Sequence, residues 1–134
     1  MQIYCGTDII EVDRIKEAVE NTKGFKENIY TAKEIEKIEK IVSVNKYQRY
    51  AGRFAAKEAI YKAMSKILIE NKINMRFDEV EIVNIEDLRN RPKVYFLDDK
   101  LNDLCKQYNI EIDVSISHIS TNATAMAVVK IDKE

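Results

Sequence analysis

Arg53-Phe54-Ala55-Ala56-Lys57-Glu58-Ala59-Ile60-Tyr61-Lys62-Ala63 is the stretch on which the fold turns. Alanine, lysine and glutamate dominate it, and no proline or glycine interrupts it, so it is strongly helical. At about 100° per residue, Ala51, Phe54, Ala55, Glu58 and Lys62 share one side of the helix. Ala56, Ile60, Ala63, Met64 and Ile67 share the other. Both flanks are largely apolar, which predicts a mostly buried helix with Glu58 among alanines, where another element can come close. A buried carboxylate is costly unless a cation or hydrogen-bond donor meets it. Two readings of Glu58 stay open at this point. One is an ordinary i,i+4 pair with Lys62, worth about 0.3–0.5 kcal/mol when exposed. The other is a carboxylate kept for its chemistry.

Upstream, Ser43 can cap this helix, which we expect over about 44–68. Gly52 lies inside it at a cost of about 1 kcal/mol, which predicts that another backbone packs there. Thr31-Ala32-Lys33-Glu34 is a capping box opening a helix with an Ile35, Ile38, Val42 stripe and a solvated, charged outer face. Asp13 is the expected N-cap of a helix carrying Ile15, Ala18 and Val19. Gly24 ends it, with Phe25 and Ile29 anchoring the connection. Met1, Ile3 and Cys5 alternate with Gln2 and Tyr4 as a short first strand that Gly6 is expected to break. Asp8 follows at the strand's exit, in an apolar segment with no basic neighbour before Arg14. A turn cap would explain it, and the missing local counter-charge adds a metal or a distant lysine as a second reading.

Downstream the period changes. Val80 and Ile82, then Val94 and Phe96, alternate as two strands around a polar turn, with Pro92 at a strand start or edge. Asp98 or Asp99 opens a helix with Leu101, Leu104, Cys105 and Tyr108 on one face. Ile110, Ile112, Val114 and Ile116 alternate over another strand, with Ser115 and Ser117 on its other face. After a turn from Ser117 to Asn122, Ala123, Ala125, Ala127, Val129 and Ile131 form the returning strand. The expected fold is α+β: a small antiparallel sheet packed by a long buried helix and shorter helices, as one domain over 1–134.

Composition narrows the function. With 134 residues, 34% charged and a net charge of −1, the chain lacks the basic excess of a nucleic-acid binder. No apolar run approaches the ~20 residues of a membrane helix, and no signal-peptide pattern is present. Cys5 and Cys105 stand apart and His118 is the sole histidine, which argues against zinc and for free thiols. We therefore expect a cytoplasmic protein that binds neither nucleic acid nor membrane.

The residues suited to chemistry are Asp8, Glu58, Lys62, Arg53, Arg91 and Ser117-His118. Two carboxylates and a lysine fit a Mg²⁺–phosphate site, because Mg²⁺ takes one or two carboxylates and shares substrate phosphates. His118 in a turn reads either as a hydrogen-bonding surface residue or as part of the site. No Walker loop and no G-x-G-x-x-G is present. The physical reading ends at metal-assisted phosphate chemistry.

Three segments carry a family resemblance. Gly6-Thr7-Asp8-Ile9-Ile10-Glu11-Val12-Asp13-Arg14-Ile15 resembles the N-terminal motif of the holo-acyl-carrier-protein synthases, the small 4′-phosphopantetheinyl transferases. Arg53-Phe54-Ala55-Ala56-Lys57-Glu58-Ala59 with Lys62-Ala63 resembles their second motif, and Val114-Ser115-Ile116-Ser117-His118 their third. The resemblance implies transfer of the phosphopantetheine arm of coenzyme A to a serine of apo acyl carrier protein, a step of fatty acid biosynthesis. It implies that Asp8 and Glu58 hold Mg²⁺ and that Lys62 meets the phosphates. Arg53, Lys62, Arg91, Pro92, Ser117 and His118 would contact coenzyme A. Arg14 and Phe25 would receive the carrier protein. It further implies a homotrimer with active sites between subunits. Ser65-Lys66-Ile67 replaces the family's Gly-Thr-Gly, which predicts a helix running on past Lys66. The alternatives are a non-catalytic acyl-carrier or coenzyme A binding module, and a different Mg²⁺-dependent phosphotransferase on the same scaffold.

Overall fold

Ala123, Ala125 and Ala127 are buried along one face of the last strand, and the long helix lies across them. The computed structural model describes residues 1–132. In chain order the elements are β1 (Gln2–Glu11), α1 (Val12–Asn21), α2 (Phe25–Ile29), α3 (Ala32–Glu39) and α4 (Lys46–Glu70). Then come β2 (Val80–Ile85), β3 (Arg91–Phe96), α5 (Asp99–Gln107), β4 (Ile110–His118) and β5 (Asn122–Ile131). The α+β class stands, but the strands divide into two antiparallel sheets. One is three-stranded in the order β1-β5-β4, and the other is the β2-β3 hairpin. Alanine is small enough to let α4 reach the inner face of the larger sheet, where its contacts with β1 and β5 form the main core.

Gly6 does not break the first strand. β1 pairs with β5 without interruption from Gln2↔Ile131 to Glu11↔Asn122. The glycine is there because α4 is too near for a side chain: an added Cβ would lie 2.2 Å from the Ala59 carbonyl oxygen. The close backbone approach expected at Gly52 is therefore at Gly6. Gly52 instead faces a side chain, with Ile116 Cγ2 at 3.0 Å from an added Cβ. The apolar alternation of Ile3 and Cys5 is also turned outward: both are exposed, while Tyr4, Gly6, Asp8 and Ile10 face α4.

β1 feeds straight into α1, so Glu11 holds the N-cap position and Asp13 lies in the first turn. The capping box at α3 forms in full, with Glu34 N donating to Thr31 Oγ1 and Thr31 N donating to Glu34 Oε1. Val42 lies past the end of α3 and is wholly exposed. The α3 face expected to be solvated conceals one buried charge. Glu34 Oε1 accepts from Lys57 Nζ at 2.6 Å, and Glu34 Oε2 accepts from Ile82 N at 2.9 Å. Lys57 also donates to the carbonyls of Ile29 and Phe77. Burying this pair is tolerable because every remaining donor and acceptor is met, and the cluster clips α2, α3 and β2 onto α4. At the far end α4 runs to Glu70, past Lys66 as expected. Among the described residues no helix is long and apolar enough to cross a membrane.

Candidate active site

The contact that needs Gly6 also sets Asp8 beside α4. Two residues along β1 on the same face, Asp8 is carried to the seam where Glu58 and Lys62 emerge. Lys62 Nζ donates to the Thr7 carbonyl at 2.8 Å and lies 3.4 Å from Asp8 Oδ1. Asp8 Oδ2 is buried and, among the described residues, has no hydrogen-bond partner. Burial first, and the Asp8 charge second, push the Glu58 carboxyl above its ordinary range, against the pull of Lys62. Glu58 is thus not simply the ion-pair partner of Lys62: that lysine turns to β1. Two close carboxylates, one with an unsatisfied buried oxygen, suit a hard divalent cation that keeps part of its water shell. Among the described residues no third His, Cys, Asp or Glu joins them, so the remaining ligands must come from water or substrate.

A second half-site lies at the other edge of the larger sheet. Here α4, the β2-β3 hairpin and β4 enclose a cleft of about 380 Å³. Arg49, Arg53, Arg91, Pro92, Asn84 and His118 are on its walls. Arg53 donates to Asn84 Oδ1 at 3.1 Å, and burial lowers its affinity for its proton. Arg91 Nη2 spans both carboxylate oxygens of Asp113, at 2.9 and 3.0 Å. His118 is pushed below the ordinary histidine range by burial and then by Arg49. Asn90 closes the hairpin with a left-handed φ of 62°, a conformation asparagine tolerates. A cationic cleft of this size, with a histidine held neutral, is suited to an anionic ligand the size of a nucleotide.

The half-sites do not meet within one chain. At about 100° per residue, Arg49 and Glu58 are roughly 180° apart on α4. They accompany β4 and β1, the two outer strands of the larger sheet, with β5 between them. Ser117 lies outside the arginine cleft, in an adjoining apolar depression with Ile9, Ile119 and Thr124 that His118 borders. Arg14 is exposed on α1. Phe25 is half-buried, stacked on Phe54 at 6.2 Å between ring centres and edge-on to Tyr30. Sequence reasoning missed Arg49 and Asp113. Arg49 was visible one turn ahead of Arg53, at a spacing where like charges repel.

Residues 4–128 match the 4′-phosphopantetheinyl transferase superfamily. The holo-[acyl-carrier-protein] synthase of Fusobacterium nucleatum is 42% identical over 131 residues, spanning 96% of this chain and 99% of the relative. In fold the chain is similar to the Chronobacterium ammoniagenes ACPS–CoA complex, at a TM-score of 0.82 and 22% identity over 99% and 100% of the two chains. It is also similar to the holo-(acyl-carrier-protein) synthase of Bacillus anthracis solved with CoA (3′,5′-ADP), at a TM-score of 0.73 and 27% identity over 97% and 96%. Matched along nearly its whole length, with paired carboxylates on one edge of the sheet and a cationic cleft on the other, the chain belongs to the 4′-phosphopantetheinyl transferase superfamily.

Proposed function

We propose that this protein transfers the 4′-phosphopantetheine group of coenzyme A to a serine hydroxyl of an apo acyl carrier protein, releasing adenosine 3′,5′-bisphosphate. The observation that carries the reading is the Asp8–Glu58–Lys62 seam, with the buried Asp8 Oδ2, unpartnered among the described residues, and the Glu58 carboxyl raised above its ordinary range by burial and by Asp8. The serine oxygen forms a bond to the phosphorus bearing the pantetheine arm, and the bond from that phosphorus to the leaving phosphate oxygen breaks. Glu58, whose burial beside Asp8 strengthens its hold on a proton, accepts the serine proton. Lys62 meets the negative charge gathering on the leaving phosphate. Mg²⁺ is the cation we assign to Asp8 and Glu58; when bound it neutralises pyrophosphate charge. Arg53, Arg91, Pro92 and His118 take the nucleotide end, with Ser117 at the neighbouring rim.

The chain works as a homotrimer on this reading. Coenzyme A must reach both half-sites, and they sit at opposite sheet edges, so the cleft of one copy has to face the carboxylates of the next. The outer face of the larger sheet supports such an assembly: Ile3, Ile9, Met126 and Val128 are 61%, 67%, 47% and 37% exposed there. Arg14 on α1 suits an acidic carrier, with Phe25 bracing the neighbouring turn. We place the reaction in fatty acid biosynthesis in the cytoplasm. Incubating the protein with coenzyme A, Mg²⁺ and an apo acyl carrier protein, then weighing the carrier, tests the reading. A gain of one phosphopantetheine is expected; no gain with any cognate carrier overturns it.

A further inference from the structure

We infer that Lys66 is a second phosphate-binding lysine of the carboxylate seam, meeting the leaving phosphate beside Lys62. The inference rests on the function proposed above. Lys66 lies in Ser65-Lys66-Ile67, the segment that departs from the Gly-Thr-Gly of the family. Because that segment stays helical, Glu58, Lys62 and Lys66 follow one another at single-turn spacing along α4. The face of β1 turned toward them carries Tyr4, Gly6 and Asp8. Asp8 meets Lys62 at 3.4 Å and Tyr4 meets Lys66 at 3.2 Å, and the glycine between them projects no side chain. One helical turn is about 5.4 Å, within the span of a lysine side chain, so both ammonium groups can reach one ligand.

The partners of Lys66 leave its charge largely unanswered. Its ion pair with Glu70 is 3.9 Å long, between side chains 57% and 59% exposed, a geometry that contributes little. Its closer contact is a neutral one: the Tyr4 hydroxyl donates to Gln2 Oε1 and accepts from Lys66 Nζ. That hydrogen bond raises the lysine's hold on its proton, so it stays an ammonium. Lys62, the next cation along the helix, repels it. Charge balance points to the missing partner. With a divalent cation bound, the two carboxylates of Asp8 and Glu58 are neutralised, which leaves Lys62 and Lys66 for the two ionised phosphates of a pyrophosphate diester. As the bond to the transferred phosphorus breaks, the bridging oxygen stays on the leaving phosphate, which becomes a monoester and gains a negative charge. An ammonium resting on a neutral phenol turns to that phosphate without breaking a strong ion pair.

Calorimetric titration at fixed Mg²⁺ with adenosine 3′,5′-bisphosphate and with adenosine 3′-monophosphate, which lacks the leaving phosphate, reads the contact without turnover. Wild type should prefer the bisphosphate. That preference should fall about tenfold in Lys66→Met and recover largely in Lys66→Arg. In carrier modification, kcat should fall by a similar factor in Lys66→Met while KM for coenzyme A changes less, because the added charge on the leaving phosphate develops only after binding. Tyr4→Phe should transfer close to the wild-type rate, since the phenol only holds the ammonium between turnovers. An unchanged preference in Lys66→Met overturns the inference. So does a loss in Tyr4→Phe equal to that in Lys66→Met, which would make the pair a packing contact between β1 and α4. If the wild type modifies no carrier, the proposed reaction fails, while the two titrations still decide the role of Lys66; a wild type that binds neither nucleotide overturns that role as well.

Discussion

Gly6 on β1 stands so close to Ala59 on α4 that a Cβ would lie 2.2 Å from the Ala59 carbonyl oxygen and 2.8 Å from the Ala63 nitrogen. Both are main-chain atoms within the helix, so they cannot swing aside. Gly6→Ala should therefore push the strand off the helix, costing at least the ~1–3 kcal/mol typical of overpacking. It should also separate Asp8 and Thr7 from Lys62. Thermal unfolding should show a lowered Tm, and transfer should fall further than the loss of folded protein explains. A variant with wild-type Tm and rate would remove this contact as the determinant of the seam.

Glu58 and Asp8 allow a sharper test, because stability and activity should move in opposite directions. The Glu58 carboxyl is raised by burial and by Asp8, so the folded state disfavours its charge. Between the ordinary carboxylate value of about 4.3 and the raised folded value, the native state binds more protons than the unfolded chain. Stability is lost as pH climbs through that window. Glu58→Gln should thus abolish transfer yet unfold at an equal or higher Tm at pH 7. That gain should disappear as pH drops below the carboxylate range. Asp8→Asn should also abolish transfer. Denaturant melts at several pH values, alongside carrier mass measurements, check both; near-normal transfer by both variants would remove the metal assignment.

Periodicity made most of the elements readable, and the failures share a physical cause. The alanines of β5 and the stripe of α5 are one-dimensional patterns, and each survives in the structure. What the pattern could not reveal is which element comes closest to which. Gly6 reads as a breaker until α4 is known to lie against it. Ile3 reads as a core residue until β1 is known to carry Tyr4, Gly6, Asp8 and Ile10 toward the helix. Glu34 reads as a cap on a solvated helix because 23 positions of chain separate it from Lys57, the other end of its 2.6 Å contact. The carboxylate seam was suggested by Glu58 amid alanines. The division of the site between opposite sheet edges needed the strand order.

The Lys57–Glu34 pair should be the most sensitive internal charge in the chain. Both side chains are buried, and together they engage Ile29, Thr31, Phe77 and Ile82. Lys57→Met leaves Glu34 buried without a cation and should cost about 3–5 kcal/mol. The double variant Lys57→Met/Glu34→Leu should regain part of that loss, since no unpaired charge then remains. Urea unfolding of the four species of this cycle measures the coupling. Additive losses would mean that the two residues act independently, contrary to the contact.

The exposed apolar face of the larger sheet yields the last prediction. Ile9 and Met126 lie on neighbouring strands in adjacent register, Ile9 opposite Thr124 and Thr7 opposite Met126. Both side chains project away from α4, so charging them disturbs no contact of the core within one chain. Ile9→Asp/Met126→Glu should thus leave the subunit folded by circular dichroism but place unpaired carboxylates where the subunits are expected to meet. Light scattering should report a shift from trimer to monomer. The loss should appear in transfer as well, because a lone chain holds its arginine cleft and its carboxylate seam on opposite edges of the sheet. Mixing this variant with an excess of Glu58→Gln chains would not restore activity unless the two co-assemble, and a monomer that transfers at the wild-type rate would show that one chain holds a complete site.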